Sequence, residues 1–290
     1  MLPETIDAYR TCEFATLSRD GTPIAWPTSG IRTPDGGFLL TTALGYPQKA
    51  FNVRRDARVA LLFSDPTASG LPDPRQILVR GVATCPAEIH TDPSGDLGDF
   101  WKMIFERQPR SRRYLTWPAT RFTDFYFMRL LIKVTPTSVT TAPLPQPSPP
   151  AAGTLLGSPV LAAYPTTVLA TVDEAGAPTL VRTTVTASPD GYRPAAAAGV
   201  GPASLLVHQH DDGLDGIHNA VVRGPLDADG LLRPDRLIEP AGGRNAGALE
   251  TLRTVRALRA ATDRYLEKRS LSRPAVPWPA YRAIRASLSR

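Results

Sequence analysis

The chain has 290 residues, 42% hydrophobic and 21% charged, a globular balance long enough for about two domains. Its net charge of +6 comes mostly from scattered arginines, with lysine only at Lys49, Lys102, Lys133 and Lys268 and no aromatic stacking motif among them, so no nucleic-acid partner is expected. No stretch approaches the ~18 apolar residues of a membrane span, the N-terminus lacks a signal pattern, and Cys12 and Cys85 form neither a CxxC pair nor a disulfide framework; a cytoplasmic, membrane-free protein with reduced thiols is expected.

Residues 3–12 read as a short helix leading into a strand at Phe14–Ser18. Asp20-Gly21 is a hairpin turn, because glycine adopts positive φ without steric cost. Pro23 to Ile31 is a second strand, Thr33 to Gly37 another turn, and Phe38 to Thr42 a third strand. Gly45-Tyr46-Pro47 breaks the sheet, and Gln48 to Arg54 reads as a helix. The continuous apolar run Val59–Phe63 predicts a strand buried on both faces. Gln76 to Thr84 is a fifth strand, Asp96 to Arg107 an amphipathic helix, and Asp124 to Val134 a sixth strand. Mostly antiparallel strands with one helix inserted after the third point to a small barrel with flanking helices.

Seven of the thirty prolines fall between Pro136 and Pro159, and the run 143–153 is expected to be an extended linker. It divides the chain into 1–142 and 154–290. The second part repeats the first. Ala15 to Pro23 align without a gap on Ala170 to Pro178, 155 residues on, and the same offset brings Pro34-Asp35-Gly36 onto Pro189-Asp190-Gly191, Pro47 onto Pro202 and Asp56 onto Asp211. A repeat this long predicts a duplicated domain. At that offset Thr41, Thr42, Lys49 and Asn52 become Ala196, Ala197, Ser204 and Val207, within the bland run Ala195–Ala198 and beyond. The second copy is thus expected to be degenerate. Val221-Val222-Arg223-Gly224 echoes Val79-Arg80-Gly81, at a shorter offset expected from a trimmed loop, and Asn245 to Lys268 predicts a long helix.

The blocks "ATLSRDGTPIAWPTSG", "DGGFLLTTALGYPQKAFNVRRDARVALLF" and "ILVRGVATC", in this order, resemble the pyridoxamine 5′-phosphate oxidase-like split β-barrel family, whose members bind FMN or the deazaflavin F420. The likeness spans about residues 5–140 and is most specific over Thr41 to Phe63. It implies an α+β, mainly β fold: two tandem antiparallel split β-barrels with flanking helices, the first holding the cofactor. It implies an oxidoreductase acting on an unknown small molecule, with FMN as cofactor or F420 as the alternative; a non-catalytic flavin-binding protein on the same fold is the other reading. By the same resemblance Trp26, Pro27 and Thr28 pass along the flavin ring, Thr41 and Thr42 face the ribityl-phosphate, Lys49 pairs with the phosphate and Asn52 lies one turn later. The residue types suit a phosphate, which needs a cation and hydroxyl donors, and Lys49 and Asn52 share a helix face. A solvated lysine and strand-forming threonines would read the same way; their joint loss in the second copy favours a site. Many relatives carry a second basic residue just before the lysine. Gly45-Tyr46-Pro47-Gln48 stands there, leaving Arg54, Arg55 and Arg80 as substitutes, while Tyr46, Trp26 and Arg80 are candidate substrate contacts. No catalytic acid or base stands out. The family's homodimers imply that the duplication fuses a dimer into one chain, which could pair again.

His208-Gln209-His210-Asp211-Asp212, with His218, could ligate a metal, but its aligned position favours a solvated polar turn, and no metal is expected. Gly199-Val200-Gly201 and the run 242–247 lack the features of phosphate loops.

Overall fold

The computed structural model describes residues 3–148, 153–196, 199–214, 218–239 and 248–288. Ala197, Ala198, residues 149–152 of the expected linker, the glycine-rich run 242–247 and hence the predicted helix start at Asn245 lie outside them.

The fold is α+β and mainly β. A one-turn 3-10 segment, Glu4–Ala8, leads into β1 (Cys12–Leu17), β2 (Pro23–Thr28), β3 (Gly30–Arg32), β4 (Phe38–Ala43), α1 (Gln48–Arg55), β5 (Arg58–Phe63) and β6 (Arg75–Thr84). Then come α2 (Gly95–Arg107), α3 (Asp124–Phe127) and β7 (Arg129–Pro143). These strands form one antiparallel sheet in the order β2-β1-β5-β6-β7-β4-β3. Its two edge strands are consecutive in the chain, with only Ser29 between them, so the sheet curls into a split barrel. The expected strand Pro23–Ile31 is therefore two strands on opposite edges. The expected strand at Asp124 begins five residues later. Asp124–Phe127 is a helical turn that buries Phe125 and Phe127, and packing overrides the strand preference of its aromatics.

The second half follows with α4 (Ser158–Leu161), β8 (Thr167–Val172), β9 (Pro178–Thr183), β10 (Val185–Ser188), β11 (Gly191–Pro194), β12 (Gly201–Gln209), β13 (His218–Leu226) and β14 (Arg236–Ile238). Its larger sheet has the order β14-β13-β12-β8-β9, and β10 pairs with β11. The run β9-β8-β12-β13 thus mirrors β2-β1-β5-β6. Ala15 pairs with Ala60, and Ala60 with Arg80; Ala170 pairs with Ser204, and Ser204 with Arg223. The two Arg-Gly steps share a constraint. A Cβ on Gly81 would lie 2.6 Å from the Thr135 carbonyl, and one on Gly224 would collide with the Arg233 carbonyl.

This register corrects the constant offset. Ser204 stands where Ala60 stands, not Lys49, and the pairings of Pro47 with Pro202, Asn52 with Val207 and Asp56 with Asp211 fail. Only residues 195–200 separate β11 from β12, too few for the eight-residue α1 found between β4 and β5. The shortening comes chiefly from this missing helix. The second half did not exchange Lys49 for serine; it has no room for the helix that carries it.

Val59, Leu61 and Phe63 face the barrel core with Phe14, Leu40 and Ile132, while Ala60 and Leu62 face the opposite side with Ala15 and Ala25. There they meet Val168, Ala170, Leu180, Leu206 and Val221 of the second half. β5 is thus buried on both faces, as its apolar run requires. The last helices, α5 (Ala248–Glu267) and α6 (Trp278–Ser287), also depart from expectation. They pack on the first barrel, not the second. Tyr265 and Leu266 of α5 join the first barrel's core, and Tyr281 of α6 lies 5.3 Å from the Trp101 ring and 4.7 Å from that of Phe127. Asp124 fastens them through Arg259 (3.0 Å) and Arg273 (2.7 Å).

Within the interface between halves sits a buried polar cluster. Glu13, fully buried, accepts from Arg182 (2.8 Å), Ser64 (2.9 Å) and His208 (2.6 Å). Arg182 also donates to Ser64 and Thr166. Asp65 lies 3.7 Å from His208 and 3.5 Å from His210, which is 3.3 Å from the Thr11 hydroxyl. The two histidines therefore do not occupy a solvated turn: His208, near the end of β12, and His210, just beyond it, are both buried in the interface. Among the described residues no group of three or more histidine, cysteine or carboxylate side chains is placed to hold a metal ion. Burial alone would raise the Glu13 carboxyl; the charge of Arg182 and the bonds from His208 and Ser64 outweigh it and hold it below its ordinary value.

Removing only the carboxylate deprives Arg182 of its bonded counter-charge and leaves it Asp65 at longer range. Glu13→Leu is expected to cost about 3–5 kcal/mol in urea unfolding, and Glu13→Leu with Arg182→Met much less. A double variant as unstable as the single one refutes this account.

Candidate functional site

The polar residues singled out in the first barrel gather around the start of α1. The chain leaves β4 at Ala43 and enters α1 after Pro47, and the Thr42 hydroxyl donates to the Tyr46 carbonyl (2.7 Å), bracing the turn. Thr42 is thus turned toward its own loop. Lys49, in the first turn of α1, reaches across to edge strand β2. Its Nζ donates to Thr28 Oγ1 (2.6 Å) and lies 5.9 Å from the centre of the Trp26 ring. Trp26 and Thr28 alternate with Pro27, so Pro27 points to the other face of β2.

No carboxylate forms an ion pair with Lys49 among the described residues. Burial pushes its ammonium down to about 8, and the nearby Arg129 charge adds to this; a Cys12 thiolate would oppose it. Cys12, however, has its thiol pushed up by burial. The site therefore holds a cation that lacks a counter-ion.

Thr41 is buried and its hydroxyl has no hydrogen-bond partner among the described residues. Arg129, the first residue of β7, is likewise buried, with its guanidinium 4.9 Å above Trp101 and 4.3 Å above Tyr126. Its Nε has no partner, and burial lowers its pKa. The reading of the sequence missed Arg129. The signal was there: it is the only charge in the apolar run Phe125–Ile132.

Other candidates are committed elsewhere. Asn52 ties α1 to β1: its amide donates to Thr16 Oγ1 (2.9 Å) and its oxygen accepts from Gln48 (2.8 Å) and Arg55 (2.9 Å). Arg54 donates to the carbonyls of Cys85 and Pro86, and Arg55 to that of Leu17. Arg80 reaches the second half, at Thr179 (3.1 Å) and Asp173 (3.9 Å). It borders an open cavity of about 640 Å³ lined also by Thr171, Glu174 and Gly199, which shares no lining residue with the Lys49 site. Tyr46 is 55% exposed. The structure thus brings Trp26, Thr28 and Lys49 together, places Thr41 with Arg129 on the β4–β7 ladder, and takes Asn52, Arg54 and Arg80 away as free donors.

The donor set fits an anion. A half-buried ammonium, a second buried cation and an orphaned hydroxyl are costly without one, and a phosphate or similar oxyanion would supply the missing acceptors.

No family's sequence profile matches the chain, and no curated protein matches it. Solved structures do. A protein of unknown function from Agrobacterium tumefaciens str. C58 is 21% identical, over 48% of this chain and 54% of its own, with a TM-score of 0.33; the chain spans about half of that protein's length. A structure described as an F420 reductase is 25% identical, over 48% of this chain and 98% of its own, with a TM-score of 0.33. A putative pyridoxamine 5′-phosphate oxidase from Listeria innocua is 14% identical, over 47% of this chain and 91% of its own, with a TM-score of 0.31. These neighbours include proteins of the group that the sequence resembles.

The sign of the Lys49 shift gives a prediction. Its folded pKa, about 8, lies below the ordinary 10.5. Between those values the unfolded chain binds more protons, so this residue's contribution makes the ligand-free protein more stable as pH rises. Lys49→Met is expected to unfold a few degrees higher at pH 7 and to lose that pH dependence; thermal unfolding at pH 7 and 10 checks both.

Proposed function

We propose that this split-barrel chain is an oxidoreductase that holds a flavin-type cofactor by its anionic tail in the amino-terminal barrel: FMN, or F420 in its place. The observation that carries the reading is the uncompensated Lys49 ammonium on Thr28, flanked by Trp26. Lys49 would hold the phosphate, the Thr28 hydroxyl would keep the ammonium aimed, and the indole of Trp26 would offer a face to a planar ring. Such a cofactor, when bound, carries the hydride or electron pair exchanged with a small-molecule substrate.

The second half would act as the wall that a partner subunit supplies in a dimer. Its sheet covers β1 and β5, and among the described residues it has no counterpart of α1. The chain would then be an intrachain pseudo-dimer with one cofactor cleft.

A second reading, storage of the cofactor without turnover, draws on the titratable groups around Lys49. Cys12, Lys49 and Arg129 all keep their protons at neutral pH, which suits a grip better than proton transfer.

Cofactor-free protein titrated with FMN, riboflavin and F420, followed by fluorescence, tests the binding. One cofactor per chain is expected; two equivalent sites overturn the single cleft. Lys49→Ala is expected to weaken FMN about 10- to 100-fold, the scale of a lost charge-assisted bond, and to leave riboflavin, which has no phosphate, unchanged. Equal FMN binding by Lys49→Ala removes the assignment. Repeated reduction of the bound cofactor by a nicotinamide donor, with reoxidation by an added acceptor, separates enzyme from store.

A further inference from the structure

We infer that the connection between α2 and α3, together with the first turns of α5, forms a docking face for an anionic lipid surface, whether or not the first barrel holds a cofactor. Residues 108–123 contain Arg110, Arg112, Arg113 and Arg121 but no carboxylate. Trp117 stands 77% exposed, and Phe122, five residues on, is exposed too. The backbone beneath them is braced. The Thr123 hydroxyl donates to the Ala119 carbonyl (3.0 Å), the Thr120 N–H donates to that of Thr116 (3.2 Å), and Leu115 is buried. The two rings therefore project from a fixed loop. α5 lies alongside: Arg259 donates to the Arg121 carbonyl (2.9 Å) and pairs with Asp124. Leu249, Leu252, Arg256 and Arg259 fall at helical spacing on one stripe of α5. Leu249, Leu252 and Arg256 are exposed, so the stripe carries the apolar surface on from Phe122.

Apolar side chains exposed together in this way mark a contact surface. The charge around them says for what. Between Ala248 and Thr262 the helix has Arg253, Arg256 and Arg259 against one carboxylate, Glu250. Asp124 is taken by Arg259 and Arg273, and Asp263 by Arg273. Arg113, Arg121, Arg253 and Arg256 are left exposed around the apolar group. Guanidinium groups about a projecting indole, a phenyl ring and leucines suit phosphodiester headgroups. The arginines draw the chain to anionic lipid, and Trp117 and Phe122 enter the headgroup boundary. Among the described residues no helix is long and apolar enough to cross a membrane, so the contact is peripheral. The expectation of a membrane-free chain rests on the lack of a span and of a signal pattern; a peripheral contact requires neither.

Co-sedimentation of the full chain with vesicles of phosphatidylcholine, with and without phosphatidylglycerol, tests the face. Binding is expected only to vesicles that contain phosphatidylglycerol and is expected to weaken as salt is raised. Tryptophan emission is expected to move to shorter wavelength as Trp117 leaves water. Trp117→Ser with Phe122→Ser, and separately Arg253→Glu with Arg256→Glu, are expected to weaken binding about tenfold or more. Val200→Ser, at an exposed position of the second half, is expected to leave it unchanged. All these side chains are exposed, and an unaltered thermal transition confirms that each variant folds. No binding to phosphatidylglycerol vesicles, equal binding to phosphatidylcholine alone, or full binding by either double variant overturns the inference. So does retention of a single-stranded oligonucleotide, or a dimer that depends on Trp117 and Phe122, without vesicle binding; the face then serves nucleic acid or a second copy of the chain.

Discussion

The structure depends on strands β1 and β5 being covered on both sides. Phe14, Leu61 and Phe63 fill the first barrel, and Ala15, Ala60 and Leu62 fill the seam against the second half. Neither face can be left to water without exposing a continuous apolar strip, so the two halves are bound to form one body. The first half's side of the seam is mostly alanine (Ala15, Ala25 and Ala60 beside Leu62), which lets the sheets approach closely. The seam's polar exception, Glu13 with Arg182 and His208, is stabilising only as a complete set, because the Glu13 and Arg182 charges are held away from water and depend on each other. Further cross-half contacts fix the register. Arg80 reaches the β8–β9 hairpin at Thr179, and Arg223 reaches the β1–β2 hairpin at Asp20 and Thr22.

Upon this near-symmetric seam the site is one-sided. Only the first half has chain enough between its fourth and fifth strands for α1, and so only it presents Lys49. The carboxy-terminal helices return to the same half. Phe51 of α1 stacks on Tyr265 of α5 at 6.0 Å, Arg269 caps that pair, and a Cβ on Gly45 would come within 3.1 Å of Leu258. The turn before Lys49 is therefore built against α5, and the absence of a side chain at Gly45 permits that approach.

Much of this was legible in the residues. The Asp20-Gly21 turn, the doubly buried run Val59–Phe63 and the helices at Gln48 and Asp96 follow from turn chemistry and periodicity, which act over a few neighbours. The reading failed where distant contacts decide. Aromatic Phe125–Phe127 coil into a helical turn because Trp101 and Tyr281 receive them. Pro23–Ile31 breaks at Ser29 because the barrel must split somewhere. His208 and His210 look like a polar turn in isolation, yet the end of β12 and the residue after it are sealed by the first half. Asn52 and Arg54 resemble ligands by type, and only their bonds to Thr16 and to the Cys85 and Pro86 carbonyls reveal them as braces.

By itself the sequence determined the period of each strand, the turns between them, the repetition of the meander and the presence of a lone lysine on a short helix, since these are written in side-chain size, polarity and backbone freedom over short spans. Tertiary structure alone decided that the repeat loses register where α1 is missing and that the last two helices serve the first barrel. Those are pairings between residues far apart in the chain, fixed by which faces must be hidden from water together, and no local pattern encodes them.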